Sequence, residues 1–432
     1  MIFKKVLLAT LLAILVWPAW ATIEPEKTPL SISIDGIQKI DASLQAFIQQ
    51  VWVESPAIQG AKAAVNAAQA RVEGADRPLY NPALSLEAER TDVNTAIVGL
   101  SQTLDWGNKR NAQTDIAKQR LQAAISALQE SQQRIALETL KALAQYTTAQ
   151  EMQRLALRRS QLMKGFVDTV QQRQAAGDMG ALEGALAQVT YSEALMQQAA
   201  SESGLAEAGA ALQAVTGMTL GLNLQQWPQL PGELAAPPAQ ADPALLQFSP
   251  TLAVLRSRME TAKARIRLAE REGSADPTIG IRAGRDGSET LLGLSFEMPL
   301  FVRNNFKADV RAVTHEAMAE ELAYHDAQRR AKARLEGSLG RFQHTTRAWQ
   351  SWVASGQQAH REQISLLEQM WQAGELTATD YLIQAKQNID TQSAATTLMG
   401  EVWQAAISWL EASAQVERWL GFAARQTTNS GE

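Results

Sequence analysis

The chain has no cysteine in its 432 residues. That absence excludes disulfides, thiolate metal sites, cysteine nucleophiles and lipid attachment at an N-terminal cysteine. Aromatic residues amount to only 6%, while Ala, Gln and Leu are plentiful, a mixture that suits long helices better than an all-β core. Positive charge is not in excess: 40 Lys and Arg stand against 45 Asp and Glu, for a formal net charge of −5. A surface that grips phosphate needs the opposite balance, so nucleic acid is excluded as a partner. At 46% apolar and 20% charged, the chain is not composed like a disordered one. Beyond the N-terminus, no stretch approaches the ~18 consecutive apolar residues that mark a membrane-spanning helix.

The N-terminus itself reads as a secretory signal. Lys4 and Lys5 precede an apolar run from Val6 to Val16, and Ala19-Trp20-Ala21 supplies a small-x-small cleavage site. Residues 1–21 are therefore the expected signal peptide, with the mature chain starting at Thr22. A chain exported without a helical span is periplasmic, secreted, or an outer-membrane barrel.

Proline is scarce where it matters. All 14 prolines lie at or before Pro82, between Pro228 and Pro250, or at Pro277 and Pro299. A helix interior tolerates proline at a cost of about 3 kcal/mol, so the proline-free stretches 83–227 and 300–432 read as long helices. The ~65 residues from Asn108 to Ala175 span roughly 100 Å at helical rise. Apolar residues recur at helix-seam spacing: Leu121, Leu128, Ile135 and Ala142; Met152, Leu155, Leu162 and Phe166; Leu335, Leu339, Phe342, Trp349 and Val353. The pattern fits a coiled-coil seam or an amphipathic helix on a globular core, and the length favours the seam.

The chain also repeats. Ser55-Pro56-Ala57-Ile58 returns as Ser249-Pro250-Thr251-Leu252, Asn81-Pro82 as Asp276-Pro277, Gly99-Leu100-Ser101 as Gly293-Leu294-Ser295, and Ala176-Gly177-Asp178 as Ala373-Gly374-Glu375. The order is kept at a spacing of about 195 residues, which indicates two tandem copies of one unit. The expected layout is a first repeat over 22–226, a Pro-rich linker over 227–248, a second repeat over 249–422 and a tail over 423–432. Each repeat reads helix, two strands, long helix, tip turn, helix.

The strands follow the Asn/Asp-Pro marker. Leu84, Leu86 and Ala88 alternate with Ser85, Glu87 and Glu89, and Ala96, Val98 and Leu100 alternate with Ile97, Gly99 and Ser101. In the second copy Ile279, Ile281 and Ala283 alternate with Gly280, Arg282 and Gly284. A tight turn is expected at Asp286-Gly287, before Leu292, Leu294, Phe296 and Met298. Such strands suit either a hairpin on a soluble core or a membrane barrel with one face to lipid. In lipid, four strands cannot close a barrel and open edges cannot be left unpaired. Membrane strands would therefore have to be shared among chains, and three chains supply twelve.

The run Asn81-Pro82-Ala83-Leu84-Ser85-Leu86-Glu87, then Leu100-Ser101-Gln102-Thr103-Leu104, then Gly107-Asn108-Lys109-Arg110, resembles the TolC-like outer-membrane efflux protein family. The Gly-x-Lys-Arg ending and the short strands are most similar to its heavy-metal (cobalt-zinc-cadmium, Czc-type) branch. The resemblance implies a mainly α fold with a small β part. It implies a homotrimer whose strands close a 12-stranded outer-membrane β-barrel and whose helices continue as a 12-helix periplasmic α-barrel. It implies an exit duct that receives heavy-metal cations from an inner-membrane RND pump through a periplasmic adaptor. A duct for drugs or for type I protein export remains open within the family, and a soluble periplasmic coiled-coil scaffold remains open outside it. The missing cysteine departs from lipidated members, which leaves anchoring in outer-membrane lipid to the barrel. The second copy departs from Gly-x-Lys-Arg, reading Phe301-Val302-Arg303-Asn304-Asn305.

Candidate functional residues fall in two places. At the tips, Gly177 and Gly374 supply the positive φ of a helix-ending turn. Asp178 and Glu375 follow them, at positions where acids favour the start of the next helix. The resemblance assigns adaptor contact at the periplasmic tip to Arg173, Gly177, Leu182, Gly374 and Leu376. It assigns an acidic aperture ring to Asp178, Glu183, Glu375 or Asp380; plain capping is the competing role. At the strand ends, Tyr80, Trp106 and Phe301 suit a membrane-interface girdle or packing at the strand–helix junction. The four histidines, His315, His325, His344 and His360, are expected on solvated helix faces. No metal motif, cofactor loop or catalytic constellation is present in the sequence, and no enzyme is expected.

Overall fold

The computed structural model describes residues 42–90, 92, 94–219, 226–231 and 234–422. The expected signal peptide and the C-terminal tail lie outside the described residues.

The first half runs α1 (Ala42–Glu54), α2 (Pro56–Ala75), β1 (Ala83–Arg90), β2 (Asn94–Thr103), α3 (Lys109–Ala175) and α4 (Ala181–Thr216). After a 3-10 turn at Pro243–Phe248, the second half runs α5 (Pro250–Glu272), β3 (Thr278–Asp286), β4 (Glu289–Glu297), α6 (Lys307–Ser351), α7 (Gln357–Gln372), α8 (Ala378–Ala412) and α9 (Val416–Trp419). Among the described residues no helix is long and apolar enough to cross a membrane.

Local chemistry sets these bounds. Pro56 and Pro250 open α2 and α5, where the missing N–H is harmless, and Ser249 Oγ accepts from Leu252 N at 3.4 Å. The 67 residues of α3 begin where the Asp105 carboxylate accepts from Lys109 N at 2.7 Å and Arg110 N at 2.9 Å. Gly217, at φ 71°, ends α4.

The four strands form one antiparallel sheet in the order β1-β2-β3-β4. The two halves of the chain meet at β2–β3, with Leu100 opposite Ile281 and Thr103 opposite Thr278. The β3–β4 turn has Gly287 and Ser288 at its centre, one residue later than expected, because Asp286 pairs with Glu289. Gly287 carries φ 58°, as the first central position of a type II′ hairpin requires.

The main core is a belt around the middle of α3. Leu140 and Leu143 are packed with Leu44, Ile48 and Val51 of α1, Leu212 of α4, and Ile407 of α8. A second core near the helix tips joins α3, α4, α7 and α8. There Phe166, Trp371 and Tyr381 pack ring on ring at 4.8–5.7 Å between centroids.

The second half departs from the expected continuous seam. Leu335, Leu339, Phe342 and Thr346 are buried as the spacing requires, but Val353 is turned outward. The cause is a π turn over Trp352–Gly356, in which Gln357 N donates to Trp352 O. One extra residue in the turn shifts the helical phase and rotates Val353 off the seam. Gly356 permits it, since a Cβ there would lie 2.5 Å from the Trp352 ring. Leu162 also leaves its seam, and Met163 takes the buried place. His360 is not solvated: it is 8% exposed and lies 5.8 Å from Trp352, because the shifted phase turns it inward.

Candidate functional site

The pairing registers turn the alternating strands into two unlike faces. One face carries Leu84, Leu100, Ile281 and Leu294 in one row, and Leu86, Val98, Ala283 and Leu292 in the next. The aliphatic side chains stand out from the sheet with nothing packed over them: Leu292 is 82% exposed and Leu294 84%. The opposite face carries Ala83, Ser101, Gly280 and Ser295, then Ser85, Gly99, Arg282 and Gly293. An apolar face of this extent is unstable in water, and among the described residues the outer edges of β1 and β4 have no strand partner.

Below the sheet, the strands pass into helices through a polar node that joins the two repeats. Asp276, 7% exposed, accepts from Lys109 Nζ at 2.8 Å, Tyr80 Oη at 2.7 Å and Gly107 N at 3.3 Å. Burial pushes the Asp276 carboxyl up. The hydrogen bonds from Lys109, Tyr80 and Gly107, with the Lys109 charge, outweigh it and hold the group below the usual carboxylate range. The same bond to Asp276, with burial, pushes the Tyr80 phenol up to about 12. Lys109 therefore has a structural task, and Asp276, read from sequence only as a repeat marker, is its partner. The signal was available in the unlike residues of the marker: Asp before Pro277, Asn before Pro82.

The three expected girdle aromatics separate here. Trp106 is exposed where β2 leaves the sheet, Tyr80 is engaged by Asp276, and Phe301 turns in against Phe306 at 5.0 Å. The place matching Trp106 in the second repeat belongs to Val302. Each of the two donates its N–H back two residues, Trp106 to Leu104 O and Val302 to Leu300 O.

At the other end, Gly177 and Gly374 adopt φ 85° and 75°. Each closes the same helix-ending motif. Gly177 N donates to Gln174 O and Asp178 N to Arg173 O; Gly374 N donates to Trp371 O and Glu375 N to Met370 O. Asp178 and Glu375 thus terminate the preceding helices and do not begin the following ones, a correction to the expected role. The helix starts come two residues later, at Gly180 and Thr377. Their first-turn acids are Glu183 and Asp380, and Thr377 Oγ1 accepts from Asp380 N at 3.1 Å. The side chains of Asp178 and Glu375 are exposed. Leu182 is 79% exposed, whereas Leu376 packs against the tip core and Arg173 lies over the Trp371 ring at 4.7 Å. Residues Arg159, Glu193, Lys386 and Asp390 form an ion-pair network between the hairpins just above the tip. Among the described residues no cluster of His, Asp or Glu is arranged to hold a metal ion.

Residues 47–218 match the family described as "Outer membrane efflux protein". An alignment of 238 positions, covering 53% of this chain, is 24% identical to the cobalt-zinc-cadmium resistance protein CzcC of Cupriavidus metallidurans and spans 56% of that protein's length. The fold is similar to the CmeC outer membrane channel of Campylobacter jejuni, at a TM-score of 0.74 and 12% identity, covering 86% of each chain. It is also similar to CusC, at a TM-score of 0.73 and 15% identity, covering 86% of this chain and 92% of the other. The family match thus spans residues 47–218, and the likeness of fold to these outer-membrane channels extends over 86% of the chain.

Proposed function

We propose that the chain is the outer-membrane exit duct of a tripartite efflux system that exports heavy-metal cations. One observation carries this reading: the sheet presents an uncovered aliphatic face and two unpaired edges on a chain without a membrane helix among its described residues. Lipid covers such a face, and only closure removes such edges. Three copies give an even twelve strands, with the Ser/Gly face lining a water-filled lumen. The long helices then continue the lumen into the periplasm. The likeness to a cobalt-zinc-cadmium resistance protein supports metal cations as cargo.

The tips complete the duct. Gly177, Gly374 and exposed Leu182 form the surface offered to a periplasmic adaptor fed by an inner-membrane RND pump. Asp178 and Glu375, free of helix-capping duty at the following helices, are the acids for an aperture ring. Rings of carboxylates favour cations.

The test is direct. The expected outcome is that the protein fractionates with the outer membrane and runs as a trimer on unheated detergent gels. Deleting it sensitises cells to cobalt, zinc or cadmium, and re-expression restores resistance. A soluble monomer defeats the duct reading. Sensitivity to drugs with unchanged metal tolerance defeats the cargo reading alone. Asp178→Asn with Glu375→Gln lowers cation preference in planar-bilayer conductance, and unchanged preference defeats the acidic ring.

A further inference from the structure

We infer that Arg282 forms an ion pair across the barrel seam with Glu89 on β1 of the next protomer. The inference rests on the trimeric barrel proposed above and goes beyond it, naming what selects the partner at the β4–β1 edge.

Arg282 stands near the middle of β3 on the Ser/Gly face, opposite Gly99 on one side and Gly293 on the other. Its side chain leans toward the open edge of the sheet. A Cβ added to Gly293 would lie 2.8 Å from Arg282 Nε and 3.2 Å from Cγ. The missing side chain at Gly293 is thus the slot through which the guanidinium crosses β4. Arg282 makes no hydrogen bond or ion pair within the chain, among the described residues, so the group is carried to the edge without a partner.

The repeat dictates what lies beyond that edge. The ladders fix which places match: Leu84 opposite Leu100 corresponds to Ile279 opposite Phe296, so the sequence match of Gly99 with Gly293 is displaced by two residues, and Pro82 and Pro277, Leu104 and Leu300, and Trp106 and Val302 occupy matching places in the two copies. Within the chain, β2 meets β3 with Ile97 opposite Gly284 and Gly99 opposite Arg282. The same pairing carried to β4 and a second copy's β1 sets Gly293 opposite Glu89 and Ser295 opposite Glu87. Arg282 and the second copy's Glu89 then flank Gly293 in one row, two strand spacings or about 10 Å apart at Cα. Long side chains meet over that distance when the residue between them has no Cβ. Glu87 is the diagonal neighbour, so the carboxylates of β1 face the guanidinium in this row and the next. Charge is complementary at this seam alone: inside the chain, the residues flanking Gly99 in its row are Ser85 and Arg282, with no acid. The pair also orients the seam, since β4 brings the cation and β1 the anion, and a β4–β4 or β1–β1 contact would repel.

Full-length protein in detergent gives the test, read as trimer yield against temperature on semi-native gels. Arg282→Glu faces like charge and weakens each seam by about fivefold, the size of a reversed cross-strand charge pair. Gly293→Val blocks the crossing and weakens it similarly. Restoration of trimer yield in Arg282→Glu with Glu89→Arg, while Glu89→Arg alone is weakened, supports the pair. A swap that restores nothing, with Arg282→Ser behaving as wild type in a trimer that still forms, overturns it. A wild-type chain that never trimerises overturns the barrel reading, and the seam pair with it.

Discussion

The two repeats share an order of elements and differ in stiffness. In the first, α3 runs 67 residues from junction to tip without a break. In the second, the same path is α6, a π turn and α7, with His360 and Asn388 buried beside the break. His360 Nε2 and the Asn388 amide lie beside each other, without a well-formed hydrogen bond to any neighbour. Buried polar groups left this way cost free energy, so the lower second hairpin is held less firmly than the first. The junctions differ in the opposite sense. Asp276 of the second repeat receives Lys109 of the first, while Lys307, which opens α6 as Lys109 opens α3, is exposed. The lesson is that duplicated topology does not duplicate energetics: the first repeat supplies the rigid rod and the clamp, the second the yielding segment.

The largest effect expected from this comparison is at the junction. Lys109→Met leaves a buried carboxylate at Asp276 and costs about 3 kcal/mol or more. Lys307→Met, at the matching place, stays within about 0.5 kcal/mol. Denaturant unfolding of the two variants measures the difference, and equal losses would erase the asymmetry. Next come the strands, where the repeats should behave alike. Leu100→Arg and Leu294→Arg each put a charge on the aliphatic face, at about 2–4 kcal/mol per chain at mid-depth, and reduce outer-membrane assembly. Ser101→Arg and Ser295→Arg, on the other face, leave assembly intact and change conductance. Equal tolerance on both faces would reverse the assignment of lipid and lumen.

The alternation of Leu84, Leu86, Val98 and Leu100 with small or polar residues was legible because period two has one physical meaning in a strand. Proline exclusion made the long helices legible for a similar reason. What stayed hidden depends on contacts between distant residues. The Lys109–Asp276 pair joins positions in different repeats, and nothing local marks Asp276 as buried. The π turn is invisible to a seam count, because Val353 has the right spacing and fails only when the backbone inserts a residue beside Gly356. His360 is carried inward by that insertion. At the tips, the glycines were legible from the need for positive φ, but the acids were read one element too late. Only the carbonyl acceptors of Asp178 N and Glu375 N place those residues at helix ends.

A smaller effect tests the tips. Gly177→Val and Gly374→Val force a β-branched residue into the left-handed region, at about 1–2 kcal/mol each. Trimers should form in both. Export falls in both if the two turns serve one docking surface, and falls more for Gly374→Val if the yielding hairpin of the second repeat is the one that must move. Metal-sensitivity plates with each variant decide it. Loss of the trimer in either would mean that the turn is structural first.

The smallest effect concerns pH and belongs to the second repeat alone. Burial holds the His360 imidazole below its ordinary value of 6.5, since the charged form loses water at this place. The unfolded segment therefore binds a proton more readily than the folded one. The contribution of neutral His360 is fully present above about pH 6.5 and is lost as pH falls below that value toward the lowered one, by at most about tenfold in local opening per pH unit. Amide hydrogen exchange over 352–372, compared at pH 7.5 and pH 5.5 after correction for intrinsic rates, reports it. Acidification should speed exchange there and leave the matching stretch of α3 unchanged. His360→Leu removes the titrating group, so its exchange should stay flat across the same range. If the leucine variant keeps the full acid response, the yielding of this hairpin has another source than His360. If α3 responds equally, the contrast between the repeats does not extend to their dynamics.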